Sequence, residues 1–466
     1  MFDSADTILV IGLGKSGQAS TQVLRSRGVT VFATDEKPRG DIAEAIARVE
    51  AAGATFVAPD ALESVLPQLT LAVLSPGVPL NGKLVRGVQD KNVPVYSEIE
   101  VAYRLCNAPI AAVTGTKGKS TTTSLIGHLF AAAGASVRVG GNIGNPLIAE
   151  VADTQPGDWV VAEVSSFQLE SIRSFHPKIS VILNISADHL DRYYSIDEYA
   201  EAKYRIFANQ SERDFFVGNF DDERLRELHW HNASEELRVH AKQLWFTLGD
   251  SHKYATMYLR DEKIVYTPIT GDPRPIEIMP VSEIPLAGRH NVQNVMAALL
   301  AGLAAGYDPQ KLREGVRSFH AMAHRLQTVA TVHGVQFVDD SKATNPGSVI
   351  AALHAYDEPL VLIAGGKSKG TDFAEMGRII DARADRLVVI GEAADEIASH
   401  VYRTPIDFAS SMEDAVRRAA DAAPEGSVVL LSPGCASFDM FKSAEDRGEQ
   451  FSAAVLALRD APGVTR

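Results

Sequence analysis

The sequence predicts an α/β protein of three domains, each built around a largely parallel sheet. Three observations carry that prediction: short apolar runs recur along the chain, several end in glycine-containing turns, and helix-compatible stretches separate them. The first run, 8–11, leads into Gly12-Leu13-Gly14-Lys15-Ser16-Gly17; a helical stretch over 16–27 and a second strand over 29–33 follow, ending at Asp35. Residues 71–74 then run into Ser75-Pro76-Gly77. A second segment opens with 110–113 and the loop Thr114-Gly115-Thr116-Lys117-Gly118-Lys119-Ser120, and continues with strands at 159–162, before Glu163, and at 179–183, before Asn184. Residues 213–285 carry short alternating runs such as 263–266 and read as a smaller β-rich portion. The third segment begins near Ala321, with strands at 336–338, 360–364, 387–390 and 428–431. The partition is therefore 1–97, 98–321 and 322–466.

A length of 466 residues accommodates those domains, and 45% apolar with 22% charged residues is ordinary globular composition. The net charge of −14 argues against non-specific binding to nucleic acid or an anionic membrane, though it leaves room for a local phosphate site. Two cysteines, Cys106 and Cys435, far apart in sequence, make no disulfide framework and suit a reducing compartment. The polar and acidic residues at 1–6 do not read as a signal peptide, and no apolar run approaches the roughly 18 residues of a membrane span. The expectation is a cytoplasmic protein without membrane insertion.

Two glycine turns carry candidate chemistry. Gly12, Gly14 and Gly17 follow a strand, open a helix and precede an acid, Asp35, about twenty residues on, a spacing that lets backbone approach a diphosphate at a helix N-terminus. Taken alone this supports either an NAD-dependent oxidoreductase or a tight strand–helix turn. The Thr114 loop is more specific: its backbone can cradle phosphates, Lys119 can neutralise the β- and γ-phosphates, and Ser120 can reach Mg²⁺. It is a shorter variant of the strict phosphate-loop pattern, with Val113 standing six before Lys119 where glycine is usual.

Further blocks follow in a specific order: Glu163-Val164-Ser165-Ser166-Phe167-Gln168-Leu169, Asn184-Ile185-Ser186-Ala187-Asp188-His189-Leu190-Asp191-Arg192, and Gly288-Arg289-His290-Asn291-Val292-Gln293-Asn294. After them come His324-Arg325, Asp339-Asp340-Ser341-Lys342-Ala343-Thr344-Asn345 and Leu431-Ser432-Pro433-Gly434-Cys435-Ala436-Ser437. With these motifs the chain resembles the Mur ligase family over nearly its whole length. The resemblance implies a Rossmann-like N-terminal domain, a central P-loop ATPase domain with a parallel sheet, and a Rossmann-like C-terminal domain. It implies an ATP-dependent amide-bond ligase that adds D-glutamate to UDP-N-acetylmuramoyl-L-alanine in cytoplasmic peptidoglycan precursor synthesis, working as a monomer.

Residue by residue, the resemblance assigns ATP to Gly115, Thr116, Lys117, Gly118, Lys119, Ser120, Thr121, Asn291, Asn294, Arg325, Asp340 and Lys342. It assigns two Mg²⁺ ions to Ser120, Glu163, His189 and Lys203, the last as a carbamylated lysine whose added carboxylate-like group helps hold metal. The UDP-linked substrate falls to Ser16, Asp35, Ser75, Pro76, Gly77, Asn142 and Ser165, and the incoming amino acid to Thr344, Lys369, Ser437 and Phe438. Lys119, His189 and Lys203 are the catalytic set. Beside this stands the plain reading of the same residues: Glu163 at the end of an apolar strand suits a metal ligand or a helix cap, and Lys203 would ordinarily be a solvated helix lysine. Asn291 and Asn294, three apart on a helix, face one direction.

Two positions depart from the family pattern. Ala444 stands where an aromatic is common, which bears on the amino-acid pocket, and Gln327 replaces an acid. His229 and His231 read as a surface pair, and Cys435 as a small buried residue without an adjacent base. The competing functions are a sibling ligase that adds L-glutamate or L-alanine, and an NAD-dependent oxidoreductase built on Gly12 to Asp35.

Overall fold

The apolar run at the start of the chain forms β1 (Thr7–Ile11), and its burial explains its composition. Ile8 and Val10 pack into one apolar cluster, Leu9 and Ile11 into another on the opposite face, as a strand covered on both sides requires. These features come from a computed structural model that describes residues 2–186, 192–230, 238–250, 254–269, 271–286, 288–319, 324–356, 358–368 and 372–460. The chain divides into two units, Met1–Ile284 with Asn291–Phe319, and Pro285–His290 with His320–Arg466.

The first unit holds two sheets. In one, β1 is joined by β2 (Thr30–Thr34), β3 (Thr55–Phe56), β4 (Leu71–Leu74) and β5 (Val95–Ser97) in the order β3-β2-β1-β4-β5, all parallel. The chain moves outward from β1 to β3 and then returns to β4 on the other side of β1. The crevice at the carboxyl ends of β1 and β4 is thus a topological switch point, where α/β sheets bind ligands.

The second sheet comprises β6 (Ile110–Thr114), β7 (Val137–Gly141), β8 (Trp159–Glu163), β9 (Ile179–Ile182), β10 (Phe215–Asn219), β11 (Lys242–Thr247), β12 (Met257–Arg260), β13 (Lys263–Tyr266) and β14 (Ile276–Pro280). Their order is β14-β13-β12-β11-β10-β9-β6-β8-β7. Strands β7 to β12 run parallel, and β12-β13-β14 close the edge antiparallel. The alternating runs between 213 and 285 therefore extend the central sheet instead of standing apart from it. The reason is β10: Phe216 and Val217 are fully buried and pair with β9, which carries the sheet onward to the later strands. β6 lies between β8 and β9, so the loop that follows it is flanked by the ends of both.

The second unit has one six-stranded sheet, β15 (Gln327–Val332), β16 (Val335–Asp339), β17 (Leu360–Gly365), β18 (Arg386–Ile390), β19 (Ile406–Ala409) and β20 (Val428–Gly434), ordered β15-β16-β20-β17-β18-β19. Apart from the antiparallel β15–β16 pair it is parallel. Neighbouring strands β16, β20 and β17 each feed one of the motif loops. Among the described residues no helix is long and apolar enough to cross a membrane.

Candidate functional site

A cavity of about 620 Å³ opens at the switch point of the first sheet, lined by residues that include Ser16, Asp35, Ser75, Pro76, Gly77 and Asn142. Six of the seven positions expected for the UDP-linked substrate thus meet in one place. The turn above it is tightly wound: Ser75 Oγ donates to the Gly12 carbonyl at 2.7 Å, and a methyl group on Gly17 would collide with that same carbonyl oxygen. Asp35 locks the turn, its carboxylate accepting from the Leu13 N–H at 2.7 Å and the Lys37 N–H at 2.9 Å. The seventh position, Ser165, is not a lining residue. It caps the helix Ser166–Leu169 in a reciprocal box with Gln168, and Gln168 reaches the cavity instead. Lys15, Glu36, Lys37 and Gln168 are lining residues that sequence reasoning missed. The first three flank the glycine turn and Asp35, and that adjacency was the available signal.

The phosphate loop leaves β6 at Thr114 and ends where the helix Lys119–Ala132 begins. Gly118, at φ +81°, makes the left-handed step into the helix, and Asn294 packs where a side chain would stand. The first intrahelical backbone bond runs from the Thr122 N–H to the Gly118 carbonyl, so the helix turns the positive end of its dipole to the loop. Lys119 Nζ folds back over the loop and donates to the Gly115 and Thr116 carbonyls at 3.0 and 2.9 Å, which holds its charge over the cradle. Asn294 Nδ2 donates to Asn291 Oδ1 at 3.0 Å, so the pair does share one helix face, and both are buried.

Beside the loop, Glu163 ends β8 with 2% of its surface exposed. Its Oε1 accepts from Asn142 Nδ2 at 2.9 Å, while Oε2 is buried without a hydrogen-bond partner among the described residues. A buried carboxylate oxygen of this kind costs free energy until a cation or donor meets it. Lys203 differs from an ordinary helix lysine: it is 1% exposed, with its ammonium 4.5 Å from the Tyr199 ring centroid. Tyr199 in turn donates its hydroxyl to Thr116 Oγ1 at 3.4 Å. Ser120 and Thr121 are half-buried in the first helical turn. His189 lies outside the described residues, as do Asp188 and Asp191; among the described residues no three His, Cys, Asp or Glu side chains form a metal-holding cluster. His231 lies outside them too, and the His229 side chain is not described.

In the C-terminal unit, Asp340 follows β16 and accepts from Ser432 Oγ at 2.8 Å and the Leu326 N–H at 3.3 Å. Burial pushes its carboxyl up to about 7, against the lowering pull of those hydrogen bonds and the Arg325 charge. Lys342 pairs with Glu445 at 2.9 Å, and that hydrogen bond holds Glu445 down at about 2. Arg325 is exposed, Thr344 half-buried and Ser437 buried, while Phe438 is 70% exposed. Lys369 lies outside the described residues. Gln327 accepts the His324 N–H at 2.9 Å, so the amide at that position serves the turn. Burial pushes the Cys435 thiol up to about 12, in keeping with an inert packing residue. Sequence reasoning missed Arg447, whose buried guanidinium donates to the Ser341 and Cys435 carbonyls at 2.7 and 3.1 Å and ties two motif loops together.

Residues 6–97 match the N-terminal domain described as Mur ligase MurD-like, 113–302 the Mur ligase middle domain, and 324–435 the Mur ligase glutamate ligase domain. The UDP-N-acetylmuramoylalanine--D-glutamate ligase of Koribacter versatilis is 40% identical over 97% of this chain and 98% of its own. The chain belongs to the Mur ligase family. The ligase of the same name from Pelotomaculum thermopropionicum is 42% identical with the same two coverages. Solved Mur ligases share the fold: the UDP-N-acetylmuramate-alanine ligase MurC of Thermotoga maritima superposes with a TM-score of 0.57 at 19% identity, covering 97% of this chain and 99% of its own. The Thermotoga maritima MurF ligase in complex with ADP gives 0.57 at 16% identity, covering 98% and 99%. Family membership removes the oxidoreductase reading of Gly12 to Asp35.

Proposed function

We propose that this Mur ligase joins D-glutamate to UDP-N-acetylmuramoyl-L-alanine at the expense of ATP, in peptidoglycan precursor synthesis. The observation that carries the reading is the 40–42% identity to ligases of that name across 97% of the chain. The cavity at Gly12, Ser75 and Asn142 supports it as the seat of the UDP-linked acceptor, and the loop at Thr114 to Ser120 as the seat of the ATP phosphates.

In this mechanism Lys119 neutralises the γ-phosphoryl group as it passes to the alanyl carboxylate, which becomes an acyl-phosphate. The glutamate amine attacks that carbonyl, and a tetrahedral intermediate collapses to amide and phosphate, with ADP left on the loop. Activation is needed because an amine meeting a carboxylate in water mainly exchanges a proton. Asn291 and Asn294 flank the nucleotide. Arg325 and Lys342 steady its phosphates, and Asp340 its ribose. Thr344, Lys369, Ser437 and Phe438 receive the amino acid.

The buried Oε2 of Glu163 is the feature that suits Mg²⁺, with Ser120, His189 and a carbamylated Lys203 completing the donor set. When bound, the ions supply charge neutralisation on the phosphoryl group. His189, or a group it helps to hold, is the candidate base for the amine. The UDP-linked acceptor and ATP favour a cytoplasmic, monomeric enzyme that needs no membrane insertion.

The test is phosphate release with UDP-N-acetylmuramoyl-L-alanine, ATP and Mg²⁺, comparing D-glutamate, L-glutamate and L-alanine. Release with D-glutamate alone is expected. Release with L-alanine or L-glutamate in its place would assign the chain to a sibling reaction, and none with any of the three would defeat the ligase reading.

A further inference from the structure

Leu183, Asn184 and Ser186, just after β9, are each fastened to the phosphate loop. Strand pairing continues past the sheet, with the Leu183 N–H donating to the Thr114 carbonyl at 3.1 Å and the Thr116 N–H donating to the Asn184 carbonyl at 3.0 Å. Beyond that point the backbone ladder stops and side chains take over. Asn184 Oδ1 accepts from the Lys117 N–H at 2.8 Å, and its Nδ2 donates to the Lys117 carbonyl at 3.1 Å. The carboxamide thus grips one residue from both sides, as a facing strand would. Thr116 repeats the pattern from the loop side, its Oγ1 accepting from the Ser186 N–H at 3.0 Å and standing 3.3 Å from the Ser186 carbonyl.

The position of this grip matters more than its strength. Lys117 immediately precedes Gly118, whose left-handed backbone turns the chain into the helix Lys119–Ala132. A glycine of that kind has many accessible conformations, and it holds one direction when its neighbours are fixed. Thr116 on one side and Asn184 on the other supply that restraint. The Lys117 N–H is thereby already met by the Asn184 carboxamide oxygen.

We propose that Asn184 is a positioning residue for nucleotide binding: by bracketing the Lys117 backbone it sets the angle at which the helix N-terminus and Lys119 meet the phosphates. This rests on the reading of the Thr114 to Ser120 loop as the ATP site. Asn184 itself touches the loop and acts on the nucleotide through it.

The test measures ADP binding by calorimetry, with UDP-N-acetylmuramoyl-L-alanine binding and thermal unfolding followed on the same proteins. Asn184→Ala is expected to raise the ADP dissociation constant about tenfold, the scale of losing a two-point hydrogen bond. Acceptor affinity and unfolding temperature should stay near wild type, a split that a merely structural role would not give. Asn184→Asp keeps an acceptor for the Lys117 N–H, loses the donor to its carbonyl and adds an anion beside the phosphates, so it should weaken ADP further; it carries the same readout if the alanine variant does not fold. Wild-type ADP affinity in both variants overturns the proposal, as does an equal loss for ADP and acceptor. Absence of ADP binding by the wild-type protein would overturn the phosphate-loop reading, and this inference with it.

Discussion

Two glycine turns in the first unit share one plan, a buried parallel strand entering a helix N-terminus, yet they are braced by different groups. The Gly12 turn is closed by its own Gly17 together with a hydroxyl and a carboxylate from the ends of neighbouring strands. Gly17 packs on the Gly12 carbonyl, Ser75 caps that carbonyl, and Asp35 ties down Leu13 and Lys37. Among the described residues that line its cavity, the basic ones are Lys15 and Lys37, both exposed. The Thr114 turn is held by Asn184, Ser186 and Tyr199, and carries its own cation folded over the backbone. The helix-entry glycines differ as well, Gly14 at φ −67° and Gly118 at φ +81°. The proposed split between an acceptor floor at the first turn and a phosphate cradle at the second turns on these surroundings, above all on the lysine that only the second folds over its own carbonyls.

The largest test of that division is Lys119→Ala. Product formation should fall by about 10³-fold or more, while the affinity for UDP-N-acetylmuramoyl-L-alanine, measured by calorimetry, stays near wild type. Near-normal turnover would erase the distinction between the two loops. Gly17→Ala should do the reverse. Forcing a methyl group against the Gly12 carbonyl should cost roughly 1–3 kcal/mol and weaken the acceptor, with ADP binding retained. Gly14→Ala is its control for folding: nothing in the protein lies within 4 Å of that position and its φ is −67°, so the unfolding temperature should hardly change.

A subtler test lies under the acceptor cavity. Glu98, 1% exposed, accepts the Ile148 N–H at 2.6 Å in the helix Leu147–Val151, directly after the cavity-lining Pro146. Burial lifts its carboxyl from 4.5 to about 7, so the folded protein favours the protonated form. The stability this lends is complete below the unfolded value near 4.5 and is lost as pH rises through 7. Relative to wild type, Glu98→Gln should therefore gain stability between pH 5 and pH 8, reaching roughly 1–3 kcal/mol. Denaturant titrations at the two pH values check it, and a pH-independent difference would remove Glu98 as the titrating group.

Much of this was legible in sequence because buried parallel strands write themselves as apolar runs, and both glycine turns follow such runs. The pairing of Asn291 with Asn294 was legible for a similar reason, since helical spacing puts them on one face. What was not legible depended on contacts remote in sequence. Nothing local distinguishes Lys203 from a solvated lysine; its burial comes from packing around Tyr199 and the elements beside it. The role of Gln168 was hidden because its place in a capping box with Ser165 accounts for it as a helix-start residue, and only the fold shows that it also lines the cavity. β10 to β14 read only as a smaller β-rich portion of the central domain because short alternating runs signal strands without naming their partner, and it is β10, paired with β9, that joins them to the central sheet.

Asn142 has one further consequence. It lines the cavity at the switch point, and its carboxamide also donates to Oε1 of Glu163, the oxygen beside the unmet Oε2. A ligand that draws Asn142 away would cost the carboxylate that hydrogen bond, and a cation that draws the carboxylate away would cost Asn142 the same one. Such an exchange is reciprocal by thermodynamic necessity: whatever factor the acceptor imposes on metal–nucleotide affinity, the metal–nucleotide must return to the acceptor. A single shared amide would then couple the two sites, whichever is filled first.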